Sequence, residues 1–530
     1  MTKKIRVRFA PSPTGGLHLG GVRTVLFNYL FAKQNGGDFI VRIEDTDQTR
    51  FVEGAEAYIF DTLKWCGMVP DESPLHGGPF APYRQSERKA NYRQYAEQLV
   101  IDGYAYYAFD TPADLEAMRT AYKTPENPSP QYNHALRDKM RNSLTLTADE
   151  TANLLASDTP YVIRIKMPLN ETVSFNDMIR GEVNFNTSQV DDKVLLKADG
   201  MPTYHLAVVV DDYQMKITHA FRGEEWLPSA PVHLLLWDYL GWKNEMPEWA
   251  HLPLILKPDG NGKLSKRDGD RLGFPVFASD WTDPKTHETT TGFKEHGFLP
   301  EAFVNLLAML GWNDGTDQEI FSMDELIAQF SMERVHKGGA KFDYEKAKWY
   351  NHEWIKRKHP KELELSIQKY FAEAGITVSD DTLLAKAIEL VKDRCTLLPD
   401  FVTQAAFFFQ LPEQIDIAAV QPKWDDKKNR FFNELIRAYE LSAVWESTDL
   451  ETEFKEMAAA HQLKPGELML PFRIMLVGGK FGPGVFDIAA TIGRNETVAR
   501  IKKVVGFRRK ITEKKHERRD ARRASGSKSH

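Results

Sequence analysis

One stretch near the start of the chain constrains the fold more than any other, namely Arg8 to Gly21, with the sequence RFAPSPTGGLHLGG. It follows an alternating run from Ile5 to Phe9 and precedes an apolar segment with helical spacing, Val22 to Ala32. This order predicts a strand, a glycine-rich turn and a helix. Its four glycines fall within seven residues and leave room for a ligand against the backbone. Unpaired N–H groups at a helix start also attract anions.

The glycine spacing matches neither the dinucleotide-binding fingerprint nor the P-loop. What remains is a His-x-Gly element at His18, which is compatible with a nucleotide site. It is equally compatible with an ordinary turn, because Gly, Pro and Thr are common turn residues. The rest of the chain has to distinguish between these two interpretations.

Charged residues follow other predicted strands. Asp38 to Asp47 is typical of a second strand that ends in acids and completes a βαβ unit, and residues 199–212 resemble an apolar strand that ends in paired acids. A further strand, Ile217 to Phe221, runs into Arg222. Parallel sheets bind ligands beyond the carboxyl ends of their strands, so these charges are ligand candidates. The alternatives are solvated acidic loops and surface ion pairs, which contribute little.

A basic loop follows the predicted sheet. After the turn Pro258 to Gly262 comes Lys263-Leu264-Ser265-Lys266-Arg267, with three cations in five residues. Such a loop suits the neutralisation of a polyphosphate leaving group. A solvated basic loop is the alternative.

Bulk properties limit the possibilities. A chain of 530 residues is too long for one hydrophobic core and predicts about three to five domains. Two distant cysteines, Cys66 and Cys395, exclude a disulfide framework and an all-cysteine zinc site, and they suit a reducing compartment. The chain has no signal-peptide pattern and no apolar run of transmembrane length, so we expect a cytoplasmic protein.

Nucleic-acid binding is not visible in the average charge. The formal net charge is −6, so any nucleic-acid contact must use local basic patches. One such patch lies at the end, where residues from Lys502 onward contain 12 Lys or Arg against 3 Asp or Glu. We expect this tail to be a solvated arm that adds salt-sensitive affinity for phosphates.

Taken together, these elements resemble a known family. His18-Leu19-Gly20-Gly21 and Lys263 to Arg267, in this order across a split nucleotide-binding fold, resemble the two signature elements of class I aminoacyl-tRNA synthetases. Longer runs are similar to the bacterial-type glutamyl-tRNA synthetases. These runs are residues 10–15, 41–47, 83–86, 199–204, 222–226, 297–302 and 471–473.

The chain also departs from the family pattern. Gly21 stands where the class element has a second histidine, as in other glutamyl enzymes. Some relatives bind zinc through a Cys-x-Cys pair where this chain has Tyr106 and Ala108, so we expect no zinc. Val208 stands where some relatives have an asparagine near the amino acid.

The resemblance implies an α/β multidomain architecture. A split Rossmann-like class I catalytic domain carries an inserted α/β domain for the acceptor end of tRNA, followed by a stem-contact region and an all-α anticodon-binding domain. The expected ranges are 1–95 and 199–280 for the catalytic domain, 96–198 for the insertion, 281–355 for the stem-contact region, 356–505 for the anticodon-binding domain and 506–530 for a disordered basic tail. Helical spacing in residues 299–310, 323–330 and 344–354 supports the helical second half.

The same resemblance implies the reaction. The family ligates L-glutamate to the 3′ end of tRNA(Glu) through a glutamyl-adenylate, using ATP and Mg²⁺. Histidine, glycines and lysines of the two signature elements would contact ATP, with His18, Lys263 and Lys266 as the catalytic residues. The implied ATP-binding residues are Gly15, Gly16, His18, Gly20, Gly21, Lys263, Ser265 and Lys266. The implied glutamate-binding residues are Arg8, Ala10, Ser12, Glu44, Tyr204, Arg222 and Glu225.

Other functions remain open at this point. A glutaminyl-tRNA synthetase has a similar catalytic fold, but its second half resembles β-barrel proteins rather than helices. A glutamyl enzyme that also charges tRNA(Gln) is a second alternative. A truncated paralogue or a small-molecule adenylyltransferase would not use the C-terminal helices, and a non-catalytic tRNA-binding descendant would not need His18, Lys263 and Lys266. We expect a monomer without membrane contact.

Overall fold

The computed structural model describes residues 3–506, so the predicted basic tail lies outside the described residues apart from Gly506. The chain divides into two compact units. The first comprises residues up to 295 together with 300–350, and the second comprises 296–299 and the residues from 351 onward. None of the helices within residues 3–506 is long and apolar enough to cross a bilayer.

The strands are Arg6–Phe9 (β1), Asp38–Val41 (β2), Ala105–Ala108 (β3), Val162–Ile165 (β4), Thr172–Asp177 (β5), Gly181–Asn186 (β6), Val194–Leu196 (β7), His219–Gly223 (β8), Glu248–Leu252 (β9), Ile255–Leu256 (β10), Trp281–Thr282 (β11), Thr289–Thr290 (β12) and Ala340–Lys341 (β13).

The helices of the first unit are Leu19–Gln34 (α1), Ala55–Trp65 (α2), Lys89–Ile101 (α3), Pro112–Ala121 (α4), Ala148–Ala156 (α5), Tyr204–Gln214 (α6), Ala230–Tyr239 (α7), Lys266–Leu272 (α8), Pro300–Met309 (α9) and Met323–Gln329 (α10). The helix Tyr344–Arg357 (α11) leads into the second unit.

The main sheet of the first unit has the strand order β2-β1-β8-β9-β5-β6. Neighbouring strands run parallel except for the antiparallel hairpin β5–β6. The predicted βαβ unit is present, because α1 connects the parallel neighbours β1 and β2 and buries Val, Leu and Phe side chains around most of its circumference. This parallel arrangement brings the carboxyl ends of four strands, β1, β2, β8 and β9, to one edge of the sheet.

A second, antiparallel sheet has the order β3-β4-β7. Its first strand contains Tyr106, whose hydroxyl donates a hydrogen bond of 2.6 Å to the buried carboxylate of Asp192. The hairpin β5–β6 also lies within the stretch predicted as the insertion, yet it extends the main sheet. The absence of zinc and the domain boundaries stay predictions.

The sequence-based expectation for residues 199–212 was wrong. The apolar run Leu206 to Val210 is not a strand but the middle of helix α6, which is buried along this whole run. A continuous apolar run has no periodicity that distinguishes a strand from a helix buried on all sides. The paired acids Asp211 and Asp212 therefore occupy the last turn of a helix, and both are buried.

The second unit consists of helices and loops throughout its described residues. Three buried aromatic side chains of its core pack together, with ring centroids 5.0 Å apart for Phe431 and Phe454 and 5.3 Å apart for Phe454 and Phe472. Its helices are Pro360–Glu373 (α12), Asp381–Val391 (α13), Asp400–Ala405 (α14), Ile417–Val420 (α15), Asp426–Leu441 (α16), Ser447–Ala460 (α17), Pro465–Val477 (α18) and Val485–Ile492 (α19), and residues 494–506 are also helical.

Candidate active site

A cleft of about 1080 Å³ opens beyond the carboxyl ends of β1, β2, β8 and β9. Open parallel sheets bind ligands at this position. Every residue predicted for the ATP and glutamate sites lines the cleft except Lys266, which begins helix α8. The predicted residues in the cleft are Arg8, Ala10, Ser12, Gly15, Gly16, His18, Gly20, Gly21, Glu44, Tyr204, Arg222, Glu225, Lys263 and Ser265.

His18 is the N-cap residue of helix α1. The N–H of Gly20 donates a hydrogen bond of 3.2 Å to its Nδ1, so Nδ1 carries no proton and Nε2–H is the donor of the neutral ring. Burial and, to a smaller extent, the charge of Lys263 lower the pKa of His18 to about 4. Nε2 has no partner among the described residues. His18 therefore presents a neutral imidazole with an unused N–H at a helix start, which suits a phosphate oxygen.

Three of the four glycines beside His18 have a structural feature that a side chain would disturb, and Gly20 does not. Gly15 has a φ of 147°, which residues with a side chain rarely adopt. A Cβ atom at Gly16 would lie 2.8 Å from Cγ of Trp281, and one at Gly21 would lie 2.7 Å from Cδ1 of Leu17. The packing against the Trp281 ring thus requires Gly16, whereas the Leu17 methyl group beside Gly21 is the end of a flexible side chain and can move aside.

The basic loop is held in a defined conformation. The Asp268 carboxylate accepts hydrogen bonds from the Ser265 hydroxyl at 2.6 Å and from the Ser265 N–H at 3.0 Å. On the other side of the loop, the N–H of Leu264 donates to the carbonyl of Ile255 at 2.9 Å. Lys263 reaches across to Glu225, with Nζ 2.6 Å from Oε1.

Arg8 is neutralised by the protein. Its Nε donates to Asp212 at 3.0 Å, and the same carboxylate accepts from Arg42 at 2.8 Å. Burial would raise the pKa of Asp212, but Arg8 and Arg42 hold that pKa below its ordinary value. The terminal nitrogens of Arg8 make no hydrogen bond to the described residues, so they remain available to a ligand in the cleft.

Glu44 belongs to the same buried network. Its Oε1 accepts from Arg42 at 3.0 Å, whereas Oε2 accepts no hydrogen bond from residues 3–506. Burial raises the pKa of Glu44 against the opposing effect of Arg42. One oxygen of Glu44 is thus fixed by the protein and the other can accept a hydrogen bond from an ammonium group.

Arg222 has a different environment from Arg8. No carboxylate of the described residues lies within 4 Å of its guanidinium. Its Nη1 donates to the Tyr204 hydroxyl at 2.8 Å, its Nε donates to His251 at 2.9 Å, and its buried Nη2 has no partner. Arg222 is therefore a buried cation held by neutral groups, with one nitrogen unused, and it lines the cleft.

Sequence reasoning missed several residues that build this site. Arg42 and Asp212 were visible only as charges next to apolar runs, and the expected strand gave Asp212 a different position. His251 and Asp268 carried no signal, because a lone histidine in a strand and an acid after a basic loop are common. Val208 lines the cleft and is 3% exposed.

Comparison with known proteins shows similarity over nearly the whole chain. Residues 4–349 match the family of class I tRNA synthetases (E and Q), catalytic domain, and residues 353–505 match the anticodon binding domain family. The glutamate–tRNA ligase of Flavobacterium johnsoniae is 51% identical over 506 residues, which cover 95% of this chain and 99% of that protein. The corresponding ligase of Porphyromonas gingivalis strain W83 is 50% identical with the same coverage.

Solved structures agree with the sequence comparison. A glutamate–tRNA ligase from Elizabethkingia meningosepticum, crystallised in complex with its amino acid, superimposes with a TM-score of 0.90 at 49% identity. The match covers 95% of this chain and 99% of that one. The glutamate–tRNA synthetase from Elizabethkingia anophelis gives a TM-score of 0.88 at 49% identity, with 95% and 100% of the two chains covered.

Proposed function

Because the chain belongs to the class I tRNA synthetases for glutamate and glutamine, and within them to the glutamate–tRNA ligases, we propose that its cleft forms glutamyl-adenylate and passes the glutamyl group to tRNA(Glu). The enzyme charges tRNA with glutamate and uses ATP to do so. One observation carries the assignment of the cleft. Arg222, a buried cation without a protein carboxylate, lines the same space as the neutral His18, whose Nε2–H is unused.

The first step joins two substrates through oxygen. An oxygen of the glutamate α-carboxylate attacks the α-phosphorus of ATP, the bond from that phosphorus to the bridging oxygen breaks, and pyrophosphate leaves. We propose that His18 Nε2–H donates to an α-phosphate oxygen and that Lys263, Ser265 and Lys266 stabilise the departing pyrophosphate. Gly15, Gly16, Gly20 and Gly21 would line the nucleotide side. Lys266 lies outside the cleft in this conformation, so its role requires the basic loop to move.

The amino acid would occupy the opposite half of the cleft. Its two carboxylates need cations, and Arg8 and Arg222 both offer planar donors. Glu44 Oε2 would accept from the ammonium group, while Tyr204, Ala10 and Ser12 complete the walls. Glu225 would lie at the rim of this pocket. Its ion pair with Lys263 supports a second role, which is to hold the basic loop.

Transfer to tRNA follows in the same cleft. A hydroxyl of the terminal ribose attacks the acyl carbon of glutamyl-adenylate, and AMP leaves. Mg²⁺ would arrive with the phosphates of ATP, because residues 3–506 offer no group of three or more His, Cys, Asp or Glu side chains for a resident metal. We further propose a cytoplasmic monomer that is selective for tRNA(Glu).

The decisive experiment is ATP–pyrophosphate exchange with glutamate or glutamine, each measured with and without tRNA. We expect exchange with glutamate in the presence of tRNA. Exchange with glutamine alone would overturn the glutamyl assignment of the cleft. Parallel charging assays with tRNA(Glu) and tRNA(Gln) test selectivity, since equal charging of both would show a non-discriminating enzyme.

A further inference from the structure

Three neighbouring strands of the main sheet contribute one buried residue each to a chain of hydrogen bonds that ends at Arg222. Arg222 on β8 lies directly opposite His251 on β9, and β9 pairs on its other side with β5, which ends at Asp177. Arg222 Nε lies 2.9 Å from His251 Nε2, and His251 Nδ1 lies 2.6 Å from Asp177 Oδ2. His251 and Asp177 are 0% and 1% exposed.

The proton positions along this chain follow from its chemistry. An arginine Nε always carries a hydrogen, so His251 Nε2 must accept. A neutral imidazole then has its proton on Nδ1, which donates to Asp177. Burial lowers the pKa of His251 despite the neighbouring carboxylate, and this favours the neutral ring. Asp177 thus determines which nitrogen of His251 faces Arg222.

The Asp177 carboxylate is the acceptor in all four of its hydrogen bonds. Its Oδ1 accepts from the N–H groups of Ile179 at 2.9 Å and Arg180 at 3.0 Å, and its Oδ2 accepts from the His251 N–H at 3.0 Å as well as from the ring. A side-chain amide in this place would direct an NH₂ group at existing donors on one side or the other. Only a carboxylate satisfies all four contacts.

We propose that Asp177 and His251 form a positioning pair that holds Arg222 for the glutamate carboxylate while leaving its positive charge uncompensated. The negative charge of the pair stays one imidazole ring away from the guanidinium, in contrast to Arg8, which contacts Asp212 directly. His233 and Tyr204 complete the neutral surroundings, with His233 Nδ1 3.3 Å from Arg222 Nη1. The inference rests on the proposed function, in which Arg222 binds a carboxylate of glutamate.

The test is a double-mutant cycle on glutamate-dependent ATP–pyrophosphate exchange with tRNA present. Asp177→Asn can direct its NH₂ group at His251 Nδ1. The ring proton would then move to Nε2, and the Nε2–H of His251 would face the Nε–H of Arg222, so that two donors oppose each other. We expect KM for glutamate to rise by about tenfold or more, with KM for ATP changed less than about twofold. His251→Gln offers an acceptor oxygen near the position of Nε2 and should raise KM for glutamate by less than about fivefold.

Combining substitutions at the two residues separates positioning from general damage. In the His251→Phe background neither a ring proton nor an amide orientation has to be directed, so Asp177→Asn should raise KM for glutamate by less than about twofold more. Equal effects of Asp177→Asn in both backgrounds would overturn the inference. If Asp177→Asn does not fold, His251→Phe is used in its place. This substitution removes the acceptor of the Arg222 Nε–H and introduces no amide group. Equal KM values for His251→Phe and His251→Gln would then contradict positioning.

Two further variants complete the design. Tyr106→Phe removes another buried hydrogen bond to a carboxylate in the same unit, and it should lower the thermal unfolding midpoint without changing KM for glutamate. Arg222→Lys tests the premise. An unchanged KM for glutamate in Arg222→Lys would contradict the proposed role of Arg222. A raised KM in Arg222→Lys with an unchanged KM in Asp177→Asn would contradict only the positioning pair.

Discussion

Lys263 of the basic loop and Glu225 at the rim of the cleft form an ion pair, with Nζ and Oε1 2.6 Å apart and both side chains about half exposed. In this conformation the lysine that we assign to pyrophosphate is occupied by a carboxylate of the protein. Lys263 therefore has to leave or share Glu225 when ATP binds. An ion pair at this exposure contributes at most about 1 kcal/mol, so the competition is weak enough for ATP to overcome.

Glu225→Gln should lower KM for ATP by up to about fivefold, because Lys263 no longer has to break the ion pair. Steady-state exchange kinetics measure the effect, which should shrink at high salt. Glu97→Gln is the matched control, since Glu97 forms a similarly exposed pair with Arg93 outside the cleft. A rise in KM for glutamate with an unchanged KM for ATP would instead assign Glu225 to the amino-acid pocket alone.

His18→Ala should reduce the rate of adenylate formation by about 10²- to 10³-fold, which is the usual effect of removing one preorganised donor to developing charge. Single-turnover adenylation measures the rate. A filter-binding assay should give a tRNA affinity within about twofold of that of the wild-type enzyme. His287→Asn, at an exposed turn, is the control. Unchanged adenylation in His18→Ala would remove His18 from the mechanism.

Asp268→Asn should weaken the basic loop, because the carboxylate accepts two hydrogen bonds from Ser265. We expect KM for ATP to rise by about three- to tenfold, as for the loss of a hydrogen bond to a charged group. Asp270→Asn changes an exposed acid of the same short helix and should leave KM for ATP unchanged. The two variants behaving alike would show that loop conformation does not depend on Asp268.

The parts of the fold that sequence predicts well are those with local signals. The strand, turn and helix around His18 follow from alternation, glycines and helical spacing, and β1, α1 and β2 lie where these patterns indicate. The helix Tyr204–Gln214 was missed because its apolar run carries no periodicity.

The site itself could be predicted only in outline. The motifs assign Arg8, His18, Arg222 and Lys263 to one site for ATP and glutamate, and all four line the same cleft. Their partners depend on register and packing between distant segments. Arg222 and His251 are 29 residues apart and meet only because β8 and β9 pair in one register. Such contacts leave no pattern in a single sequence, so the electrostatic difference between Arg8 and Arg222 required the structure.

The partly buried His205, which lies beside the buried His233, predicts how stability depends on pH. His205 Nδ1 lies 3.2 Å from His233 Nε2, and burial together with the charge of Lys193 lowers the pKa of His205 to about 4. Its ordinary value is about 6.5, so between these pH values the unfolded chain binds a proton at His205 and the folded chain does not. The contribution of His205 to the free energy of unfolding is therefore fully present above pH 6.5 and is lost as the pH falls toward 4.

His205→Asn should therefore reduce the pH dependence of unfolding. At pH 5 the titration of His205 costs the folded state about 2 kcal/mol, and this loss is absent when the side chain cannot titrate. Urea unfolding of both proteins at pH 7, 6 and 5 measures the difference. His287→Asn serves as control, because an exposed histidine in a left-handed turn position can be replaced by asparagine without strain. Parallel losses of stability in the wild-type enzyme and His205→Asn would show that His205 is not held neutral, and helix α6 would then have to accommodate an imidazolium beside His233.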